Sequence, residues 1–436
     1  PASAENLNSM SELIAPSDPR SSSNDSLPPL FCDGRFGAMT VTQLLGAFND
    51  NLFKQMVCLY CLEKGTTAHQ SLALFLFSIP FVLGSGFSGF LADRYSKRSL
   101  IIGCKVAEIV VMLTAIAAFS WGNFIAPLLV LFLMGCQSTV FGPSKYGILP
   151  EMLRARDLPS ANGIIQMTTF VAVIFGIATA GILMEQISIQ LICTCCVGIA
   201  VMGTISSVWV RRSPVAVPEL KFVPSMLFAF DRPTRRLLGG DVTLVRVLLI
   251  SSLFWFVAGV LHQVVNDFGI SQWEIGEAKT SMLLASIGVG IAFGCVSASV
   301  LSKNRINFSL VTRGAWGMIA CLLALSLVGQ RDPGEAPGTL GIAGLLIVLG
   351  FCAGIFLVPL QVFLQVRPPE DQKGRMMGTM NLVNFCGLML SSGAFYALHS
   401  LFEWQKLETS WSFTVLALFL LPVANLFRPP TTDEAL

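Results

Sequence analysis

Charged residues are scarce in this sequence of 436 residues. Asp, Glu, Lys and Arg make up 12% of the chain, about half of the roughly 25% that is typical of soluble domains. Hydrophobic residues reach 53% and the mean hydropathy is +0.70. These proportions exclude an ordinary soluble domain and predict an integral membrane protein.

The signatures of common catalytic and metal centres are also missing. We find no paired nucleophile and base, no metal-ligand cluster and no glycine-rich phosphate loop. Cys58 and Cys61 form a CxxC pair without a second pair or a nearby His, so no zinc site is predicted. Most of the 12 cysteines lie in apolar segments, where we expect them to act as small hydrophobic side chains. The sequence therefore predicts no enzyme, no cofactor and no nucleic-acid partner.

Residues 1–35 form a tail rich in Ser, Pro, Asn and Asp, which is predicted to be disordered. The tail has no charged segment followed by an apolar one, so no cleavable signal peptide is predicted. A second short tail covers residues 429–436.

Twelve apolar segments occupy the rest of the chain, and each is long enough to cross a membrane as a helix. A polar linker, 211–242, separates six segments in 36–210 from six in 243–428. Within the linker, FVPSMLFAFD is predicted to be a short amphipathic helix on the membrane surface. The predicted fold is all-α, with twelve transmembrane helices in two six-helix bundles. The predicted spans are 36–62, 71–91, 99–120, 124–147, 160–184, 189–210, 243–266, 278–301, 308–329, 338–366, 376–400 and 410–428.

Lys and Arg are distributed unevenly among the loops. With both termini inside, 21 of the 28 lie in inner loops and tails, four in outer loops and three within spans. Because basic residues favour the cytoplasmic side, both termini are predicted to be cytoplasmic.

The two halves of the chain resemble each other in sequence. Pro143 and Asn162 correspond to Pro359 and Asn381, at offsets of 216 and 219 residues. This correspondence favours a duplicated six-helix unit.

A basic motif, GFLADRYSKRSLI, lies between the second and third segments. It resembles the signature of the major facilitator superfamily, with Ser96 where that family usually has a second Gly. We expect Gly89 to permit close helix packing and Asp93 to cap a helix or pair with a basic group. The alternative is a basic loop that only sets topology. The predicted conformational latch comprises Gly89, Asp93, Arg94, Lys97 and Arg98.

The first segment contains an unusually polar stretch, GAFNDNLFK, from Gly46 to Lys54. Asp50 lies about 14 residues into the segment, or about 21 Å along a helix, near the middle of a hydrocarbon layer about 30 Å thick. A carboxylate at that depth is expected to face protein or water and usually marks a transport pathway.

Five motifs in order, AFNDNLFK, SKYGILPE, SANG, SLFWF and FLVPLQVFLQ, resemble the bacterial lysophospholipid transporter branch of this superfamily. The resemblance implies movement of lysophospholipids, chiefly lysophosphatidylethanolamine, from the outer to the inner leaflet of the bacterial cytoplasmic membrane. It also implies re-acylation there by an acyltransferase or acyl-carrier-protein synthetase. Only eight residues follow Arg428, so we expect that enzyme to be a separate chain.

Asp50 and Lys54 are four residues apart, with the acid first, and are predicted to pair on one helix face. Such a pair could exchange its partners for a zwitterionic head group; the alternative is a structural bridge between helices. Of Asn49 and Asn51, one is expected to form an interhelical hydrogen bond.

Other polar residues in the apolar segments complete the candidate substrate site. Lys105 and Glu108 can pair at a spacing of three, although Lys105 is expected to extend to the membrane interface. Lys145 follows Pro143 and is a head-group or gate candidate. His262 stands where some relatives carry an Arg that can face the acid of the first helix, so a fixed ion pair of that kind is not predicted here. A His at this position can either titrate near neutral pH or remain neutral and hydrogen-bonded. The remaining candidates are Gln263, Gln361, Gln365, Asn381 and Asn384, for which hydrogen bonding between helices is the alternative role.

Three functions stay open from the sequence. The first is alternating-access transport of lysophospholipids. The second is proton-coupled export of a drug-like or small polar solute by another member of the superfamily. The third is a scaffold that does not transport.

Overall fold

The computed structural model describes residues 30, 33–121, 123–154, 157–212, 219, 232–302, 307–331, 338–369 and 373–426. The predicted surface helix in the linker, nearly all of the first tail and the second tail lie outside these residues. Within the described part, the secondary structure is helical and includes no strand.

Twelve long helices are described, and they follow the predicted segments in order. We number them as follows: α1 Gly34–Lys64, α2 Thr67–Arg94, α3 Lys97–Ser120, α4 Ile125–Gly147, α5 Leu158–Gln186, α6 Ile189–Val208, α7 Val242–Asp267, α8 Glu277–Ser302, α9 Ser309–Gly329, α10 Gly338–Val366, α11 Lys373–Gln405 and α12 Trp411–Leu426. Short helices Leu149–Met152 and Arg232–Gly240 lie between α4 and α5 and before α7, and a π-helical turn, Phe268–Gln272, extends α7.

Ten of these helices are long and apolar enough to cross a membrane by themselves. The other two are α1, whose centre is polar, and α12, whose apolar part Trp411–Asn425 is shorter. The protein is therefore a multi-pass membrane protein of all-α architecture, as the composition predicts.

The helices pack in two bundles, α1–α6 and α7–α12, with equivalent neighbours. In the first bundle α1 packs on α5, α2 on α4, and α3 on both α4 and α6; in the second, α7 packs on α11, α8 on α10, and α9 on both α10 and α12. The bundles meet where α5 packs on α8 and α2 on α11. This arrangement is that of two parallel repeats related by a two-fold axis.

The two bundles differ in their cores. The second has one continuous hydrophobic cluster, whereas the first has two, one around Phe53, Met112 and Leu131 and another around Met39, Ile148 and Ile165. Between these two clusters along α1 and α3 lie polar side chains, and the candidate site is built on them.

Asp241 fixes the start of α7. Its carboxylate accepts a hydrogen bond from the amide of Leu244 at 3.0 Å and forms an ion pair with Arg367 at 2.8 Å. Burial opposes its ionisation, but the Arg367 guanidinium and the Leu244 amide hold the pKa of Asp241 below its usual range.

Candidate functional site

Asp50 lies near the middle of α1 and faces α4. Its carboxylate accepts hydrogen bonds from Ser138 Oγ at 2.6 Å and from Gln137 Nε2 at 3.4 Å. The side chain is partly accessible. The helix α1 thus presents a carboxylate that is held by neutral donors, which stabilise it less than a cation would.

Lys54 does not pair with Asp50 as predicted. Among the described residues, the two form no ion pair within 4.0 Å; Lys54 Nζ instead donates to Asn51 Oδ1 at 2.9 Å and lies 5.3 Å from the ring centroid of Phe77 on α2. The spacing of four permits the pair, but donors on α4 satisfy the carboxylate and a neighbouring amide satisfies the ammonium. The acid and the base therefore occupy one region of α1 without neutralising each other directly.

A buried triad lies beside this region. Lys105 and Glu108 form an ion pair on α3, and Asn49 Nδ2 donates to Glu108 Oε1 at 2.7 Å and to the carbonyl of Cys196 on α6 at 3.3 Å. Lys105 is only 2% exposed, so the prediction that it extends to the membrane interface is wrong. Asn49, rather than Asn51, supplies the expected interhelical hydrogen bond, because Asn51 donates to the Ala47 carbonyl in its own helix.

Gly46 and Gly203 make room for the buried lysine. A Cβ atom added at Gly46 would lie 2.6 Å from Lys105 Nζ, and one at Gly203 would lie 3.3 Å from Lys105 Cε. The absence of side chains on α1 and α6 at these positions lets the lysine remain inside the bundle and pair with Glu108.

Lys145 lies near the end of α4, partly accessible, with its Nζ 4.7 Å from the ring centroid of Tyr146. It interacts electrostatically with Asp50, and Asp50 also interacts with Glu108, Lys105 and Lys54. The site therefore combines two carboxylates with three ammonium groups. Of these groups, Asp50, Lys54 and Lys145 are partly accessible, and together they can bind both the phosphate and the amine of a zwitterionic ligand.

His262 approaches this charge cluster from the second bundle. It lies on α7, interacts electrostatically with Lys54, and its Nε2 atom is buried without a hydrogen-bond partner among the described residues. Beside it, Gln263 is fully buried and donates to the Gly259 carbonyl of its own helix at 3.2 Å. Of these two candidates, His262 is the one that the structure brings to the charge cluster.

The structure does not bring the candidate residues on α10 and α11 together at the charge cluster. Asn384 is buried and accepts a hydrogen bond from Ser251 Oγ on α7 at 3.1 Å. Gln361 is partly accessible, whereas Gln365 and Asn381 are exposed. Asn384 thus has the alternative role, a hydrogen bond between helices.

Gln137 and Ser138 are site residues that the sequence analysis missed. The signal was present, since the run Gln137, Ser138 and Thr139 interrupts the apolar segment of α4. Among the described residues, no cluster of three or more His, Cys, Asp or Glu side chains has the arrangement of a metal site.

The latch residues act mainly within the first bundle. Lys97 pairs with Glu151 of the short helix after α4, and Arg98 donates to the Val208 carbonyl at the end of α6. Arg94 lies over the rings of Phe90 and Tyr95, at 5.8 and 5.7 Å. Asp93 is exposed.

Gly89 does not have its expected packing role in this structure. A Cβ atom added there would meet nothing within 4 Å. The close approach of α2 and α4 occurs at Gly135 instead, where a Cβ would lie 2.7 Å from the Phe77 carbonyl oxygen. The glycine of the motif is therefore not the point of contact between these helices.

Hydrogen bonds between described residues join the two bundles toward one end of the molecule. We call the end of the molecule at which α1 begins the near face and the opposite end the far face. Toward the far face, Gln55 of α1 donates to Asn266 of α7 at 2.9 Å and to Ser281 of α8 at 3.1 Å. Gln70 of α2 donates to the Gln263 carbonyl at 3.2 Å. These bonds hold the bundles together on the far side of Asp50.

Sequence comparison identifies the family of this twelve-helix arrangement. The family model described as Major Facilitator Superfamily matches residues 39–392. The chain belongs to the major facilitator superfamily. It is 28% identical over 378 residues to a protein of Klebsiella pneumoniae named "Lysophospholipid transporter LplT", covering 84% of this chain and 89% of that protein. It is 24% identical over 370 residues to the protein of the same name from Escherichia coli O157:H7, covering 82% and 87%.

Solved structures of other transporters share the fold. The POT family transporter PepTSo has a TM-score of 0.70 at 11% identity, covering 90% of this chain and 96% of that one. The xylose transporter XylE from E. coli, in an inward open conformation, has a TM-score of 0.65 at 14% identity, covering 92% and 98%. At such low identity these likenesses establish the architecture alone.

Proposed function

We propose that this chain transports lysophospholipids, with lysophosphatidylethanolamine as the principal substrate, from the outer to the inner leaflet of the bacterial cytoplasmic membrane. A separate acyltransferase or acyl-carrier-protein synthetase would then re-acylate the product. Relatives named lysophospholipid transporter, aligned over more than four fifths of the chain, support the substrate class. The observation that carries the proposal is the charge cluster around Asp50, in which Asp50, Lys54 and Lys145 are partly accessible and the Lys105–Glu108 pair is buried beside them.

The head group would bind by exchanging partners. Asp50 is held by Ser138 and Gln137 rather than by a cation. The ammonium group of phosphoethanolamine can therefore bind the carboxylate without breaking an ion pair. Lys54 is held by one amide oxygen, and its ammonium can bind the phosphate. The new bonds would carry charge on both donor and acceptor, whereas the bonds to Ser138, Gln137 and Asn51 carry it on one side only.

Alternating access would carry the head group between leaflets. With the termini cytoplasmic, the near face is the cytoplasmic face, and the far-face hydrogen bonds of Gln55 and Gln70 close the outer side. Rocking of one bundle against the other would break those bonds and expose the charge cluster to the outer leaflet. The acyl chain would stay in the membrane beside the bundles.

Replacing Asp50 by Asn tests the proposal. Because the amide cannot bind an ammonium ion as a carboxylate does, we expect uptake of radiolabelled lysophosphatidylethanolamine by proteoliposomes to fall more than about ten-fold. Glu63→Gln, on the exposed end of the same helix, serves as the charge-matched control and should transport normally. Normal transport by Asp50→Asn at equal expression would contradict the central role of this residue.

A proton gradient distinguishes the alternative function. A proton-coupled exporter stops when the gradient is dissipated, whereas the proposed lysolipid movement needs no titrating group on the substrate path. We expect uptake to persist in proteoliposomes treated with a protonophore. Loss of uptake under that condition would favour the proton-coupled carrier.

A further inference from the structure

A cavity of about 330 Å³ lies at the near face of the first bundle, apart from the charge cluster. It is formed where α1 and α3 begin and where α6 ends. Four of its seven lining residues are arginines, and the other three are Val208, Trp209 and Val210; the arginines are Arg35, Arg98, Arg211 and Arg212. Arg98 precedes Lys105 by seven positions on α3, which places the cavity about 10 Å nearer the membrane surface than the buried triad.

One of these arginines, Arg211, pairs with an acid at the start of α1. Asp33 is buried, forms an ion pair with Arg211 at 3.1 Å and accepts hydrogen bonds from the amides of Arg35 and Phe36 at the start of α1. Among the described residues, the cavity lining contains no carboxylate. Arg35 and Arg212 are exposed, and their guanidinium groups attract anions to the cavity.

The structure holds the arginines in place from different elements. The ion pair with Asp33 ties Arg211 to the start of α1, and the Val208 carbonyl accepts from Arg98, which ties α3 to the end of α6. Arg211 Nε is buried and has no hydrogen-bond partner among the described residues. The guanidinium groups of Arg98 and Arg211 are thus pre-positioned for a multidentate acceptor such as phosphate.

One wall of the cavity is apolar and faces outward. Trp209 is 70% exposed and Val208 is 48% exposed, and Ile205, one turn earlier on α6, is also exposed. On the outside of a transmembrane bundle, such side chains contact lipid, and Trp is favoured at the level of the head groups. A phosphate in the cavity could therefore be attached to acyl chains that lie along α6.

We propose that this cavity binds the phosphate group of an anionic diacyl phospholipid from the leaflet at the near face. A free phosphate would satisfy the arginines equally, but it would not use the exposed wall of α6. The bound lipid would join the ends of α1, α3 and α6. This assignment does not depend on which substrate the central site carries.

Native mass spectrometry of the purified full-length protein tests the proposal. The protein is titrated with phosphatidylglycerol, with phosphatidylethanolamine and with sn-glycerol 3-phosphate, and bound adducts are counted. We expect phosphatidylglycerol to bind more tightly than phosphatidylethanolamine, and glycerol phosphate not to displace it. Equal binding of the two lipids would overturn the proposal, and displacement by glycerol phosphate would assign the cavity to a soluble phosphate instead.

A pair of double variants locates the site. Arg35→Gln with Arg212→Gln removes two exposed arginines of the cavity and leaves the Asp33 pair intact. Arg246→Gln with Arg313→Gln removes two exposed arginines near the same face of the second bundle and serves as the charge-matched control. We expect the first variant to bind phosphatidylglycerol about ten-fold more weakly and the control to bind like the wild type. Equal affinities in the two variants would refute the site.

Discussion

Lys105 and Glu108 place two opposite charges inside the first bundle, where each depends on the other. Both side chains are buried, and Asn49 supplies a hydrogen bond to the carboxylate. Removing one partner of a buried pair leaves an uncompensated charge and costs about 3–5 kcal/mol, whereas replacing both by apolar groups is often neutral. We therefore expect Lys105→Met to lower the thermal stability strongly and the double variant Lys105→Met, Glu108→Leu to recover most of it.

Thermal unfolding in detergent measures this prediction. The control is Lys64→Met, which removes an exposed lysine at the end of α1 and should change stability little, since exposed ion pairs contribute about 0–1 kcal/mol. Equal losses in the single and double variants would show that the two charges are not coupled. A loss of transport without a loss of stability would instead assign the pair to the substrate path.

Single residues also show which features of the site can be predicted from the sequence and which cannot. The position of Asp50 at mid-membrane depth and its exposure to a polar environment follow from the sequence. Its partner does not, because helical spacing identifies only neighbours on α1, and Ser138 lies 88 residues further along the chain. The prediction that Lys105 extends to the membrane interface is wrong for a related reason. Its burial requires Gly46 and Gly203 on two other helices.

At the scale of elements, α8 and α10 make their closest approach through two glycine pairs. Gly290 and Gly294 on α8 are four residues apart, as are Gly350 and Gly354 on α10, and a Cβ at any of the four would collide with backbone of the other helix. Small residues at this spacing permit close packing in membranes. The spacing is visible in the sequence, but the partner helix is not.

Alanine substitution on α10 separates the effect of packing from the effect of helix propensity. We expect Gly350→Ala to destabilise the protein by about 1–3 kcal/mol, because the added methyl group forces the helices apart. Gly344→Ala, six residues earlier on the same helix, meets nothing within 4 Å and should be neutral or slightly stabilising. Thermal unfolding of the two variants provides the comparison, and equal effects would contradict the close approach.

The presence of the helices is more predictable from the sequence than the way in which they pack. Hydropathy alone identifies ten helices and leaves out α1 and α12. The helix α1 is nevertheless predictable from the sequence, because its apolar residues continue on both sides of the polar stretch. The polar centre that weakens its hydropathy is the feature that makes it a candidate for the substrate site.

For the whole molecule, the packing of the two bundles follows a repeat of six helices. The sequence indicated this duplication through Pro143 and Pro359, but it did not indicate which faces of the bundles meet. Those faces are set by side chains from distant segments, such as Phe81 and Phe385, whose rings stack 4.1 Å apart between α2 and α11. The resulting interface positions His262 of the second bundle toward Lys54 of the first.

The hydrogen bonds of Gln55 give a test of how the bundles move. Its side-chain amide forms three hydrogen bonds with Asn266 and Ser281 across the interface, at 2.9–3.4 Å. Such bonds contribute on average about 0.6 kcal/mol each in membrane proteins, or about 1.8 kcal/mol for three, so Gln55→Ala should shift the equilibrium toward the state with an open far face by roughly 20-fold. We expect faster hydrogen–deuterium exchange at the end of α7 and the start of α8, with slower exchange around Lys145 as the near face closes.

The control is Gln190→Ala, at an exposed position at the start of α6, which should leave exchange in both regions unchanged. If Gln55→Ala accelerates exchange at both faces, it loosens the bundles without favouring one state, and the far-face bonds do not act as a gate.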